Sequence, residues 1–149
     1  MTALIQLLKN PRMYPLTFYV KSLPPDVGGC SNGPVIRILE KYRHDEGLYR
    51  HELMHVKQWA VWSLLAIPAA YVLYQLAMFD YLALAILPCA LHGVLYRFIS
   101  SYRFWCEVEA YKEQAKHYTD DRRPLFAEYI ANSYDLPHTT KQALDALNR

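Results

Sequence analysis

Residues 49–58 read Tyr-Arg-His-Glu-Leu-Met-His-Val-Lys-Gln. On a helix, His51 and His55 stand one turn apart on one face, because positions i and i+4 coincide there. Their imidazole nitrogens can then meet on one cation. Two neutral imidazoles suit Zn2+, at about 2.0–2.1 Å per bond. Glu52 falls about 100° further round the helix, where it borders such a site without ligating. From there a carboxylate can take a proton from a water on the metal and later hand it to a leaving amine. Leu48, Val56 and Trp59 give the same helix an apolar side for packing. The bland alternative is an exposed helix that carries two histidines by chance.

Upstream of this stretch, residues 16–20 (LTFYV) and 35–39 (VIRIL) have the β-branched, alternating character of strands. In the second, Arg37 lies on the opposite face from Ile36 and Ile38. The intervening KSLPPDVGGCSNGP holds two adjacent prolines and three glycines and reads as a loop. Residues 1–12 read as a short helix ended near Pro11. The histidine-bearing helix is expected to start between Glu46 and Leu48.

Downstream, Trp59–Phe79 carries no formal charge. At about 1.5 Å per residue a helix of that length spans roughly 30 Å, one bilayer core. Asp80 interrupts the run, and a shorter uncharged segment continues to Tyr96. The pattern over residues 59–99 predicts an apolar helical hairpin with Asp80 at its tip. Kinks are expected at Pro68 and Pro88. Trp59, Trp62, Phe79, Tyr81 and Tyr96 near its ends suit membrane interfaces or ordinary core equally. Embedding in lipid is favoured over burial in protein, because so small a chain offers little to wrap two such helices.

Beyond the hairpin, a helix is expected to run from Arg97 toward residue 118, followed by a turn or helix start at TDDRRP. Another helix is expected over 125–136, and a last short one over 139–148 capped by Thr139 or Thr140.

A catalytic zinc takes three protein ligands and keeps one position open. The downstream candidates are His92, Glu107, Glu109 and His117. Glu107 and Glu109 are two apart, about 200° round a helix, so only one can face the metal; spacing does not choose between them. His92 inside the apolar hairpin reads more readily as a core histidine, and His117 as a surface one.

The order of these features resembles the gluzincins, and most closely the membrane group that includes HtpX-like proteases and CAAX prenyl endopeptidases. There an apolar helical pair separates HExxH from a segment of E-x-x-A-D type. Here His51-Glu52-Leu53-Met54-His55 precedes the hairpin, and Glu107-Val108-Glu109-Ala110-Tyr111 follows it. The likeness covers residues 35–115 by order of features, with about ten positions matching by identity. It implies Glu107 as third ligand beside His51 and His55, Zn2+ as cofactor, and hydrolysis of peptide bonds. It also implies a strand lying antiparallel to an extended peptide or protein substrate, a place taken by Val35, Ile36, Arg37, Ile38 and Leu39. The family's aspartate falls on Tyr111, so Glu109 or Gln58 is expected to orient a ligating histidine in its stead. For oxyanion stabilisation Tyr111, His117, Tyr118 and Tyr134 are all available, and none stands out.

The chain of 149 residues fits one domain. The expected fold is α+β and mostly helical: a small N-terminal β element, the histidine-bearing helix, and the hairpin inserted before the third-ligand helix. By the resemblance this is a minimal zincin-like core. A net charge of +2 with no Lys/Arg run speaks against nucleic acid. Three cysteines without a CxxC pair speak against a disulfide framework and suit a reducing compartment. The N-terminal residues lack the pattern of a signal peptide. Lys57, Arg97 and Arg103 flank one end of the hairpin and Asp80 the other, so the positive-inside rule puts the catalytic part in the cytoplasm. Two alternatives remain open: a soluble cytoplasmic enzyme with the hairpin buried, and a non-catalytic metal-binding or scaffold protein of the same fold.

Overall fold

The computed structural model describes residues 15–76, 81–134 and 136–149. The fold is α+β and mostly helical, with a three-stranded sheet followed by five helices among the described residues. The helix expected over residues 1–12 and the hairpin tip at Asp80 lie outside the described residues.

Strands β1 (Leu16–Val20), β2 (Gly29–Asn32) and β3 (Val35–Leu39) form a sheet in the order β1-β3-β2. β1 and β3 are parallel, with Leu16 beside Val35, and β2 and β3 are antiparallel, with Asn32 beside Val35. β2 was expected to be loop. Its sequence, GCSN, has neither alternation nor branched side chains, and pairing with β3 makes it a strand. A two-residue turn, Gly33-Pro34, joins the pair. Gly33 has φ +58°, a backbone that an L side chain adopts only with strain.

A 3-10 turn (Glu40–Tyr42) leads into α1 (Glu46–Gln75). Asp45 caps α1, its side chain accepting a bond from the Leu48 amide at 2.9 Å. Ile36 and Ile38 on one face of β3 pack with Val56 of α1, and Tyr19, Leu48, Tyr49 and Leu53 close this first core. α1 stays helical through Pro68.

A helix was expected to run from Arg97 toward residue 118, but Arg97 belongs to the end of α2 (Tyr81–Phe98), and α3 spans Ser100–Ala115. Between them the chain extends at Ile99, with φ −113° and ψ 100°. Arg103 accounts for the break. Its guanidinium donates to the carbonyls of Tyr96 at 2.9 Å and Arg97 at 2.7 Å, at the end of α2. It also donates to the carbonyl of Tyr134 at 2.8 Å.

α4 (Arg123–Ser133) and α5 (Thr140–Asn148) pack on α3. Val108 and Tyr111 of α3, Phe126, Ala127 and Ile130 of α4, and Ala143 and Leu147 of α5 form the second core. Thr139 caps α5 through a full capping box with Gln142.

Beyond Trp59 the usual distribution of side chains is reversed. Ala66 and Ala70, one turn apart on α1, are buried at 2% and 3% exposure, while Leu64 and Leu65 are 68% and 62% exposed. Ile67, Tyr71, Val72 and Leu76 also face outward, as do Ile86, Val94 and Phe98 on α2. Small residues fill the seam and large apolar ones cover the outside. Trp59 adds a bond across the seam, its indole N–H donating to the Cys89 carbonyl at 3.0 Å.

Candidate metal centre

α1 brings His51 and His55 to one face, and α3 crosses that face with Glu107 directed at them. Nε2 of His51 lies 3.2 Å from Nε2 of His55. The Glu107 carboxylate lies 3.6 Å from Nε2 of His51 through Oε2 and 3.4 Å from Nε2 of His55 through Oε1. Four ligands held tetrahedrally at about 2.0–2.1 Å are separated by roughly 3.3–3.4 Å. The three side chains thus outline one face of such a tetrahedron, and they form the group of potential ligands found among the described residues.

The chemistry of the donors fits a cation. Glu107 is fully buried, and its Oε2 has no hydrogen-bond partner, a costly state for a carboxylate oxygen without a counter-charge. Burial holds His51 well below the usual imidazole range, and neighbouring His55 adds to the effect. Burial opposes charge on His55 too, but the Glu107 carboxylate overrides it and raises this imidazole. Burial would likewise raise Glu107, but His55 overrides it and holds the carboxyl low. Both directions favour an anion on Glu107 and a positive charge beside it where the three side chains converge. A divalent cation would take over the place of that charge.

Gln58, one turn beyond His55 on α1, orients this imidazole. Its Nε2 donates to the Cys106 carbonyl at 3.1 Å, which turns Oε1 toward Nδ1 of His55 at 3.0 Å. Nδ1 is then the donor, and Nε2 is left for a metal. Gln114 on α3 lies near His51 without repeating that bond: neither its Oε1 nor Nδ1 of His51 has a hydrogen-bond partner. Its Nε2 donates to the Tyr118 hydroxyl at 3.0 Å, and that hydroxyl donates to Oδ1 of the capping Asp45 at 2.7 Å. Gly47 makes room for the Tyr118 ring: a Cβ there would lie 2.6 Å from it.

Of the groups expected to support the ligands, Gln58 does so. Glu109 points away and pairs with Lys112 at 3.1 Å on the surface. Tyr111 sets its ring edge-on to His51, with centroids 4.4 Å apart, while its hydroxyl meets that of Tyr134 at 3.1 Å. His92 meets the Tyr102 hydroxyl at 2.7 Å, and His117 lies 3.9 Å from Glu113. Neither joins the ligand group.

Sequence reasoning missed Tyr96, whose hydroxyl donates to Oε1 of Glu107. It sits at the end of an apolar run, where nothing in the pattern separates it from packing tyrosines. Gln114 was missed as well, though its spacing of seven from Glu107 puts both on one face of a helix.

Glu52 is buried beside the group without belonging to it, and burial pushes its carboxyl up to about 7. β2 lies over it. A Cβ on Gly29 would come within 3.0 Å of Oε1 of Glu52, and Ser31 interacts with the same carboxyl. The expectation that Val35–Leu39 would border substrate is corrected here. β3 is the central strand, and both of its edges are taken by β1 and β2. β2 is the edge strand next to Glu52. Leu39 donates to the Gly28 carbonyl at 3.0 Å. By the alternation of an antiparallel ladder, Cys30 and Asn32 also bond to β3, while Gly29 and Ser31 turn their N–H and C=O outward. Among the described residues, no strand covers that edge.

No protein-family model, no curated protein and no solved structure matches this chain.

Proposed function

We propose that this protein is a zinc-dependent metalloendopeptidase held in a membrane, with His51, His55 and Glu107 as ligands and Glu52 as base. The convergence of three donors on one point, His51 and Glu107 buried and His55 partly so, with Glu52 beside them and outside the ligand group, carries the reading. Zn2+ at that point would supply a Lewis acid that makes a water nucleophilic near neutral pH and polarises a carbonyl. The rest falls to the chain. Glu52 takes one proton as the water oxygen attacks the peptide carbonyl, and returns it to the amine as the C–N bond breaks. The outward main-chain groups of Gly29 and Ser31 hold an extended peptide by adding it to the sheet edge. Gln58 keeps the His55 imidazole in register.

The reversed distribution of side chains supports the membrane. α1 is long and apolar enough to cross one by length and composition, and only 22% of its apolar window is buried. Small residues in the seam with large apolar residues outside are the arrangement lipid favours, since lipid removes the penalty on exposed leucine. Lys57, Arg97 and Arg103 at the catalytic end argue for a cytoplasmic site.

Protein purified without chelator is expected to contain one zinc per chain and to cut a mixed peptide library, whereas Glu52→Gln keeps the zinc and cuts nothing. Absence of metal would overturn the reading. Metal with equal behaviour of wild type and Glu52→Gln would leave a non-catalytic binding protein.

A further inference from the structure

We infer that the site takes its substrate in one polarity, with the membrane-embedded part of the substrate N-terminal to the bond that is cut. This rests on the peptidase reading above and on the membrane placement of the apolar run. The geometry comes from two glycines. Gly29, at the start of β2, lies against Glu52, and Gly33, just past its end, lies 3.4 Å from the Trp59 ring. β2 therefore runs in the same direction as α1, from the base toward the residue where the uncharged run begins. Gly28, one residue before β2, lies against Tyr42 and Leu48, on the side away from that run.

A peptide added to the free edge pairs better antiparallel than parallel, because antiparallel ladders bond more squarely and are more stable per residue. Its chain then runs opposite to β2. The N-terminal side lies at the Trp59 end, against the membrane, and the C-terminal side leaves past Gly28. A chain whose membrane span precedes the cut fits this course directly. One whose span follows the cut must turn back on itself within the site.

The same geometry sets a distance. From Glu52 to Trp59 the helix rises roughly 10 Å. An extended peptide covers that in about three residues at ~3.3 Å each. The bond cut is thus expected roughly three to six residues beyond the point where the substrate leaves the interface, allowing for the depth of the indole. The ligand class is a polypeptide with an N-terminal span and an unfolded cytoplasmic tail.

The test uses the full zinc-loaded chain in lipid vesicles with two reporter pools. Both pools carry the same randomised linker, one with a transmembrane anchor at the N-terminal end and the other at the C-terminal end. Mass spectrometry reads rate and cut position. The N-terminally anchored pool is expected to be cut at least about tenfold faster, near the interface. Equal rates, or the reverse preference, would overturn the polarity and leave the peptidase intact. Cutting of the free linker with neither anchored pool cut would overturn the membrane-bound substrate class. No cutting of any pool, the free linker included, would remove the peptidase reading and this inference with it.

Discussion

Gln58 spans two helices with one amide: Oε1 meets Nδ1 of His55 at 3.0 Å, and Nε2 donates to the carbonyl of Cys106, the residue before Glu107, at 3.1 Å. It thereby ties the second histidine of α1 to the backbone that carries the proposed third ligand. Replacing it with leucine keeps the volume and removes both bonds. Gln58→Leu is expected to weaken zinc binding by about 10–100-fold, measured by competition with a chromophoric chelator. Gln58→Glu, which can still accept from Nδ1, is expected to retain most of the affinity. Equal affinity in wild type and Gln58→Leu would show that His55 needs no such partner.

Glu107 and Glu109 separate cleanly in a metal assay. Glu107→Ala removes the proposed third ligand and the anion between two imidazoles, so zinc is expected to be lost. Glu109→Ala removes a surface pair with Lys112 worth at most about 1 kcal/mol and is expected to leave zinc stoichiometry unchanged. Elemental analysis of both variants checks this, and zinc loss in Glu109→Ala alone would reverse the ligand assignment.

Gly29 tests the edge strand. A methyl group there would press on the Glu52 carboxylate at 3.0 Å. Gly29→Ala is expected to cut peptidase activity by about 10²-fold through a displaced base, with zinc content and fold retained. Circular dichroism and metal analysis beside the activity assay separate displacement of Glu52 from unfolding.

Gly47→Ala drives a methyl to within 2.6 Å of the Tyr118 ring. The ring cannot yield freely, because its hydroxyl is held by Asp45 and Gln114 and the Arg122 guanidinium lies 3.9 Å over its face. A cost of about 1–3 kcal/mol is expected, read as a lowered melting temperature in detergent. Tyr118→Phe keeps the ring and loses only the hydroxyl bonds, so it is expected to be milder.

The membrane reading makes a cruder prediction. Alkaline carbonate washing is expected to leave the protein in the membrane pellet, and detergent to release it. Recovery of all of the protein in a detergent-free soluble fraction would show that the outward leucines of α1 are covered by something other than lipid.

Much of this was written in the sequence. The spacing of His51 and His55, the apolar run from Trp59, and the branched alternation of residues 16–20 and 35–39 each follow from local periodicity, and each element stands where periodicity puts it. β2 was invisible because GCSN becomes a strand only by pairing with β3, a relation between distant residues. The break at Ile99 was invisible for a similar reason: Arg103 makes it by gathering carbonyls from both α2 and the end of α4. Glu107 and Glu109 occupy one helix at equivalent distances from the histidines in sequence, and only the packing of α3 on α1 turns one inward. Gln58 was legible, since it lies three residues from His55 on the same helix and carries the atom the imidazole needs.

Gln114, near the proposed ligand His51, bonds to Tyr118, and Tyr118 bonds to Asp45 at the first turn of the helix that bears that histidine. If the proposed site holds a cation, ion binding at one end and closure of the cap at the other would be packed close together on α1. Loss of zinc should loosen the start of α1 and its seam with α3, and fraying of that start should in turn release the ion. On the proposed reading, loading with metal would be part of completing the tertiary structure of this chain.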